Sequence, residues 1–236
     1  LKLDKNTLVI LSSDNGAVID DGYADQAEEL LDGHQPSGPW RGGKYSAFEG
    51  GTAIPAIVHW PEQIKEGKVS DALISQIDWM ASLGSLIDAK FPKGSAIDSH
   101  NRLGNLLGTD NNHRPWVVEQ AANKTLSIRT IDWKYIEPHN GPKMIPWGPK
   151  IETGNHPTPQ LYHMKDDAAE QQNIATQHPE KVSEFTTLLK DIGSEVLVQS
   201  WLSLQAESSP TARPSRSCPT EIQNGHLCKR LFLAWA

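Results

Sequence analysis

The amino-acid sequence predicts an α/β domain followed by a small α+β subdomain. A continuous apolar run near the start ends in polar residues, an apolar stripe with helical spacing follows, and from about residue 115 the apolar residues alternate. Continuous runs are typical of buried parallel strands, and alternation is typical of antiparallel strands with one buried face. We therefore assign residues 1–110 to the α/β domain, 111–195 to the subdomain and 196–236 to a disordered or foreign tail.

The α/β domain contains two predicted strands and two predicted helices. Residues 7–12 form a short run with β-branched side chains, which predicts a buried and parallel strand. Residues 54–60 are the second strand candidate, and residues 24–31 a possible short helix. Residues 71–87 carry an apolar stripe that predicts an amphipathic helix packed on the sheet. The residues of this stripe are Leu73, Ile74, Ile77, Met80, Leu83, Leu86 and Ile87.

The subdomain is predicted to contain antiparallel strands first and one covering helix last. Residues 116–120 and 126–137 alternate, with a turn at Asn123-Lys124, and residues 161–164 are another short strand. Pro179 is typical of a helix start and Gly193 of a position just past a helix end. The apolar face of this helix consists of Val182, Phe185, Leu188, Leu189 and Ile192.

Composition narrows the function classes. The net charge of −7 argues against a nucleic-acid-binding protein, which would normally be basic. No apolar run approaches the roughly 20 residues that a membrane span needs. Cys218 and Cys228 could form a small loop disulfide or remain two thiols. The sequence begins at Leu1 and not at Met, so we expect that further residues precede it.

The tripeptide Asp14-Asn15-Gly16 directly follows the first predicted strand and supplies one carboxylate and one amide oxygen. Ca²⁺ binds about six to eight oxygen ligands, and ligands of open α/β sheets bind at the carboxyl ends of strands. Asp14 and Asn15 are therefore candidate metal ligands. The alternative is an ordinary turn, because Asp, Asn and Gly are common turn residues.

A glycine-rich loop follows, with the sequence Arg41-Gly42-Gly43-Lys44 and then Glu49-Gly50-Gly51. Flexible backbone beside a lysine allows a point-charge contact to a sulfate or phosphate oxygen, which makes Lys44 a candidate catalytic and substrate-binding residue. The alternative is a solvated surface lysine. His34 precedes this loop and could reach the substrate, or it could be an exposed loop histidine. Arg41 is better interpreted as a brace for the loop than as an anion ligand.

Together these motifs resemble the type I sulfatases, the formylglycine-dependent, arylsulfatase-like branch of the alkaline phosphatase superfamily. The resemblance continues in the subdomain and covers about residues 5–193 in order. The pieces that carry it are Ser13-Asp14-Asn15-Gly16, the loop from Arg41 to Gly51, Pro55 to Pro61, Ser75-Gln76-Ile77-Asp78, Trp133-Lys134-Tyr135-Ile136, Leu161-Tyr162, Asn173-Ile174-Ala175 and His178-Pro179-Glu180.

The resemblance implies an alkaline-phosphatase-like mixed sheet, of which this sequence is the carboxy-terminal part, and the hydrolysis of sulfate esters. It implies that Asp14 and Asn15 are two of the Ca²⁺ ligands and that Lys44 contacts the sulfate oxygens. The implied substrate is a small-molecule or carbohydrate sulfate ester. By the same resemblance, a periplasmic or secreted location is expected.

The sequence also departs from the family. The nucleophile of type I sulfatases arises from a C/S-x-P-S-R motif upstream of the Asp-Asn-Gly strand, and this chain has no such motif there. Ala212-Arg213-Pro214-Ser215-Arg216 imitates it, but with Ala in the place of the nucleophile and on the wrong side of the other motifs, so we interpret it as a chance match. We expect formylglycine and the remaining Ca²⁺ ligands upstream, and no activity in the isolated fragment. The alternatives are a phosphatase or phosphodiesterase of the same superfamily, or a catalytically inactive truncated fragment.

Overall fold

The computed structural model describes residues 3–65, 67–148, 150–207 and 234–235, and the side chains up to residue 194 within these ranges. A 3₁₀ turn at Asp4–Asn6 comes before the first strand. The strands are β1 (Val9–Ser12), β2 (Ala56–His59), β3 (Val117–Gln120), β4 (Leu126–Arg129), β5 (Trp133–Ile136), β6 (Gln160–His163) and β7 (Ala234–Trp235). The helices are α1 (Glu49–Thr52), α2 (Asp78–Leu86), α3 (Leu103–Leu106) and α4 (Pro179–Glu207).

Strands β1 and β2 form the first sheet, in which they pair antiparallel with Leu11 opposite Ile57. The prediction of two strands is confirmed, but the prediction that β1 is buried and parallel is wrong. Val9 is 51% exposed and Leu11 60% exposed. The physical reason is that β1 has β2 as its partner, which returns in the opposite direction after α1. Among the described residues, the face that carries Val9 and Leu11 is covered for less than half of its side-chain surface.

Both predicted helices of the first domain needed correction. Residues 24–31 form turns and not a helix, because Gln26 has a left-handed φ of 62° and Asp25 binds the Ala27 amide through its carboxylate. Of the predicted helix over 71–87, only the residues of α2 are helical. The carbonyl oxygen of Leu73 accepts a hydrogen bond from the Arg114 amide at 2.8 Å, so it is used by a distant residue and not by the next helical turn.

The second sheet has the order β6-β5-β4-β3-β7, in which β3 to β6 are antiparallel neighbours and β7 lies parallel to β3. The predicted turn at Asn123-Lys124 is confirmed, and Lys124 has the left-handed φ of 71° that such a turn needs. Helix α4 covers this sheet as predicted. The apolar core between them contains Ile128, Tyr135, Leu161, Ala175 and Phe185, with Val182, Leu188 and Leu189 packed against it.

The predicted end of the last helix is wrong, because α4 continues past Gly193 to Glu207 and so includes the first residues of the predicted tail. A single glycine costs a helix only about 1 kcal/mol relative to alanine, and Gly193 has open space around it. Cys218, Cys228 and the motif at 212–216 lie outside the described residues, and the domain boundaries stay predictions. Within the described part of the chain, no helix combines the length and apolarity needed to cross a membrane.

Candidate functional site

The backbone joins the segment after β1 to the glycine-rich loop. The Gly16 amide donates to the Gly51 carbonyl oxygen at 2.8 Å, and the Lys44 amide donates to the Ala17 carbonyl oxygen at 2.9 Å. These two hydrogen bonds connect residues that are 27 to 35 positions apart in the chain. The two segments that carry Asp14 and Lys44 therefore form one hydrogen-bonded unit.

Glycine is required where these segments touch. A Cβ atom on Gly16 would lie 1.9 Å from the Gly50 carbonyl oxygen, and a Cβ on Gly50 would lie 2.5 Å from the Arg41 carbonyl oxygen. Both positions accept only glycine, because a carbonyl oxygen of the main chain cannot move away without breaking the loop. The glycines of Asp14-Asn15-Gly16 and Glu49-Gly50-Gly51 thus have a packing role in addition to a turn role.

The glycine-rich loop closes on itself. The Gly50 amide donates to the Arg41 carbonyl oxygen at 2.8 Å, and the Ser46 amide donates to the Gly43 carbonyl oxygen at 3.0 Å. Between them, Tyr45 has a left-handed φ of 81°, which is rare for a side chain of this size. Such a conformation persists only where the surroundings enforce it, so the loop around Lys44 has a defined shape.

The Lys44 ammonium is paired with Asp21. Lys44 Nζ lies 2.9 Å from Asp21 Oδ2, and the Tyr45 hydroxyl donates to the other carboxylate oxygen of Asp21. The hydrogen bonds from Tyr45 and Lys44 lower the pKa of Asp21, and the hydrogen bond to Asp21 raises the pKa of Lys44. About a quarter of each side chain of the ion pair is exposed, so Lys44 is a cation that an anionic ligand can approach.

Asp14 and Asn15 lie on the loop that follows β1, where Asp14 is exposed and Asn15 half-buried. The Ser13 hydroxyl lies 3.5 Å from Asp14 Oδ1 and donates to the Asn15 carbonyl oxygen at 3.0 Å. Carboxylate and amide oxygens suit a hard cation such as Ca²⁺. Within the described ranges no group of three or more His, Cys, Asp or Glu side chains could hold a metal. Asp14 and Asn15 therefore fit as part of a Ca²⁺ site and cannot complete one.

Arg41 braces the loop, as the sequence indicated. Its guanidinium binds both carboxylate oxygens of Glu152, at 2.6 and 2.7 Å, and donates to the Glu170 carbonyl oxygen at 2.8 Å. It also lies 4.0 Å from the centre of the Phe48 ring. The hydrogen bond to Glu152 raises the pKa of Arg41, and in turn the pKa of Glu152 is lowered.

A buried charge network lies behind the loop. Lys134 is fully buried and binds the carboxylates of Glu119 and Glu49, and Arg129 binds Glu49 at 3.0 Å. Burial alone would lower the pKa of Lys134, but the charges of Glu119 and Glu49 outweigh burial and raise it. Burial favours a neutral Glu49, yet Lys134 and Arg129 lower its pKa. The network therefore joins α1, at the end of the loop, to three strands of the second sheet through ionised groups.

His34 lies exposed in the connection between β1 and the loop, where its amide donates to the Leu31 carbonyl oxygen at 2.8 Å. Its predicted contact with substrate stays a prediction. A cleft of about 860 Å³ includes Asp14, but it lies along β2 and residues 68–76, and Lys44 is not part of its lining. The cleft therefore touches this unit at Asp14 and Glu49 but does not reach the Lys44 side chain.

Sequence reasoning missed Asp21, Glu152 and Glu170, whose partners are 23, 111 and 121 residues away. One signal for the buried network was present. Glu119 has the same parity as Val117 in an alternating strand, so a period of two places this carboxylate on the buried face. A buried acid needs a cationic partner, and Lys134 in the nearby strand supplies it.

Comparisons with known proteins find relatives of this chain in one family. A model of the sulfatase family matches residues 1–89. The chain is 50% identical over 192 residues to an N-acetylgalactosamine-6-O-sulfatase of Bacteroides thetaiotaomicron. The aligned region covers 81% of this chain and 37% of that protein. The chain also matches a solved structure from a study of how Bacteroides thetaiotaomicron metabolises multiple glycosaminoglycans. The TM-score is 0.78 and the identity 49%, and the match covers 82% of this chain and 40% of that one. A sulfatase from Pseudoalteromonas sp. has a TM-score of 0.60 over 80% of this chain and 37% of its own, and at 23% identity it shows the shared fold alone.

The chain belongs to the sulfatase family, and specifically to the type I sulfatases of the alkaline phosphatase superfamily. The predicted fold class, an alkaline-phosphatase-like α/β fold in part with a small α+β subdomain, is confirmed by the match to the solved Bacteroides structure. The chain spans 37% of the length of the curated Bacteroides relative. The alternative of a phosphatase or phosphodiesterase is not favoured by these comparisons.

Proposed function

We propose that the protein to which these residues belong hydrolyses sulfate esters of carbohydrates, with 6-sulfated N-acetylgalactosamine as the substrate class. The 50% identity to a relative named N-acetylgalactosamine-6-O-sulfatase supports the substrate class. The observation that carries the reaction type is the hydrogen bond from the Lys44 amide to Ala17, because it attaches the lysine to the segment of Asp14 and Asn15. A sulfate group bound between the Lys44 ammonium and a cation held by Asp14 and Asn15 would meet positive charge from both sides.

In this proposal Lys44 binds a sulfate oxygen through its ammonium group. Asp21 and Tyr45 hold that ammonium in place before substrate arrives, since both touch the same ion pair. Preorganised positive charge is most effective where negative charge develops in the transition state. Lys44 therefore lowers the activation free energy for cleavage of the bond between sulfur and the sugar oxygen.

Asp14 and Asn15 would hold a Ca²⁺ ion together with ligands from outside the described residues. When bound, the ion would supply further positive charge to the sulfate oxygens. The identity of the metal and the origin of the nucleophile from formylglycine rest on the resemblance to the family. Export to the periplasm or beyond also stays a prediction from the resemblance.

The first experiment measures turnover by the product of the complete gene, made in a host that forms formylglycine. We expect hydrolysis of 6-sulfated N-acetylgalactosamine, loss of activity with a chelator and recovery with Ca²⁺. Lys44→Ala should lower kcat about 10²-fold to 10³-fold, as the loss of one oxyanion donor does in other hydrolases. Lys93→Ala, which removes an exposed lysine outside the loop, is the matched control and should leave kcat unchanged.

Two results would contradict the proposal. A preference for aryl phosphate over aryl sulfate by orders of magnitude would move the protein to the phosphatase class. Robust sulfatase turnover by residues 1–236 alone would show that the nucleophile lies within this sequence, since we expect none from these residues.

A further inference from the structure

Glu170 holds both ends of the glycine-rich loop. Its carbonyl oxygen accepts a hydrogen bond from the Arg41 guanidinium at 2.8 Å, and its Oε2 atom accepts one from the Glu49 amide at 2.7 Å. Arg41 begins the loop that carries Lys44, and Glu49 ends it. The side chain of Glu170 is fully buried although it is a carboxylic acid. One residue, more than 120 positions further along the chain, thus reaches both ends of the loop.

The turn that presents Glu170 is itself constrained. Glu170 has a left-handed φ of 51°, and its amide donates to the Asp167 carbonyl oxygen at 3.0 Å. The Asp167 carboxylate accepts the amides of Gln171 and Gln172 at 2.9 and 2.8 Å. A non-glycine residue in this conformation is held there against strain. The turn between β6 and α4 is therefore shaped to place Glu170 against the loop.

The second carboxyl oxygen of Glu170, Oε1, is buried and has no hydrogen-bond partner among the described residues. The charged and titratable groups that face Glu170 are Arg41 of the loop, Glu49 of α1, Glu119 of β3, Lys134 of β5 and Tyr162 of β6. Burial raises the pKa of Glu170 to about 8, although Lys134 and the Glu49 amide oppose the rise. The group is therefore mainly a neutral acid at pH 7, which accepts the amide without adding a buried negative charge.

We propose that Glu170 is a positioning residue that fixes the loop of residues 41–49 on the second sheet and thereby sets the place of Lys44. The consequence for sulfate binding rests on the proposed function of Lys44, whereas the consequence for loop order does not. Glu170 does not touch the substrate in this proposal; it acts through Arg41 and Glu49.

Amide hydrogen exchange of the 236-residue chain tests loop order directly. Glu170→Ala should raise the exchange of amides in residues 41–53 about tenfold or more, because the Glu49 amide loses its acceptor. Glu170→Gln keeps a carbonyl oxygen in the same position and should keep the protection of wild type. Glu137→Ala is the matched control: Glu137 Oε1 accepts the Leu126 amide at 2.8 Å, so its loss should affect the hairpin of β4 and β5 and not the loop.

Three outcomes overturn the positioning role. Unchanged exchange of residues 41–53 in Glu170→Ala would show that the loop does not depend on this residue. An equal loss in Glu170→Gln and Glu170→Ala would show that acceptor geometry is not what matters. A uniform rise over the whole second sheet would show a general structural role. If Glu170→Ala does not fold, Glu170→Asp replaces it, because the shorter side chain withdraws the carboxylate from the Glu49 amide.

The pH dependence of the free energy of unfolding is a further test, because a side chain that only fills space would not affect it. The pKa of Glu170 rises from 4.5 to about 8 on folding, so the folded chain binds more protons than the unfolded chain between these values. The contribution of this group to the free energy of unfolding therefore decreases as pH rises from about 4.5 to about 8. Above about pH 8 this contribution does not change further. Glu170→Gln should be less pH-dependent than wild type in this window. An identical pH profile for both would contradict a neutral buried Glu170.

The link to Lys44 is tested separately with inorganic sulfate as the probe, by titration calorimetry. Glu170→Ala should weaken sulfate binding about tenfold, and Glu170→Gln should restore it. If Lys44→Ala does not weaken sulfate binding, the proposed function of Lys44 fails while the exchange result for the loop still stands. If Lys44→Ala weakens binding and Glu170→Ala does not, the positioning role fails while the proposed function stands.

Discussion

The two sheets of this molecule are stabilised in different ways. In the second sheet Ile128, Ile136 and Leu161 have no exposed surface, and the side chains of α4 pack against its core. In the first sheet Val9, Leu11 and Ile57 are each more than half exposed. The candidate site residues belong to the loops beside the first sheet. The comparison teaches that the site is held by hydrogen bonds, glycines and charges and not by its own apolar core.

The second sheet acts as the support for these loops. Glu49, at the end of the glycine-rich loop, is bound by Arg129 and Lys134 from β4 and β5. Ala47 and Phe48 pack with Ile136 and Tyr162 in a second apolar cluster, which extends the core of the second sheet to the loop. The second sheet thus contributes to the placement of the glycine-rich loop as well as to the stability of the fold.

The largest expected effect compares one apolar truncation in each sheet. Phe185→Ala should lower the free energy of unfolding by about 3–5 kcal/mol, because a buried ring that packs on Tyr135 is replaced by a cavity. Leu11→Ala should lower it by about 0.5 kcal/mol or less, because the side chain is already exposed. Urea denaturation followed by circular dichroism measures both. Equal losses for the two variants would remove the distinction between the sheets.

A somewhat smaller effect is expected at the ion pair between Arg114 and Asp78. Both side chains are buried, and the Asp78 carboxylate also accepts the amides of Ser75 and His100. Arg114→Met should lower the free energy of unfolding by about 3 kcal/mol, because Asp78 would stay buried without its cation. This pair links α2 to the segment before β3, so the loss should be cooperative over both regions.

An exposed ion pair provides the control. Lys181 and Glu184 form a pair on the surface of α4, and more than a third of each side chain is exposed. Lys181→Met should therefore change the unfolding free energy by less than about 1 kcal/mol. If Arg114→Met costs no more than Lys181→Met, the buried pair does not join the two regions.

Features of the fold that depend on residues close together in the sequence could be predicted, and features that depend on distant residues could not. The alternation around Val117 and Ile128 and the apolar spacing of Val182 and Phe185 depend on local periodicity, so the hairpins and the covering helix were predictable. The exposure of β1 was not, because a continuous apolar run indicates what a strand could bury and not what covers it.

The candidate site was predictable in its residue types and not in its partners. Asp14, Asn15 and Lys44 stood out through their motif, whereas the partner of Lys44, Asp21, lies in a connection without a periodic pattern. The end of α4 was misjudged because Gly193 has the residue type of a helix end without its surroundings. Long-range pairs such as Glu170 with Glu49 become visible only once the chain is folded.

The smallest expected effect concerns Asp21 and the protonation of Lys44. Asp21→Asn should leave the unfolding temperature nearly unchanged, because the pair is at the surface and screened by water. It should lower the pKa of Lys44 toward the ordinary lysine value, because the hydrogen bond with the Asp21 carboxylate is the main cause that raises it. NMR titration of the lysine side chains, with Lys44→Arg used to assign the signal, measures this pKa.

Tyr45→Phe separates the two partners of Asp21 in the same experiment. The variant removes the hydroxyl that donates to Asp21 but leaves the contact between Lys44 and Asp21. Because the Tyr45 hydrogen bond is the main cause that lowers the pKa of Asp21, that pKa should rise in Tyr45→Phe, while Lys44 keeps most of its raised pKa. An unchanged Lys44 titration in Asp21→Asn would show that the ammonium is not held by this carboxylate in solution. The placement of Lys44 would then depend on the hydrogen bonds that hold its loop and not on an ion pair of its own ammonium group.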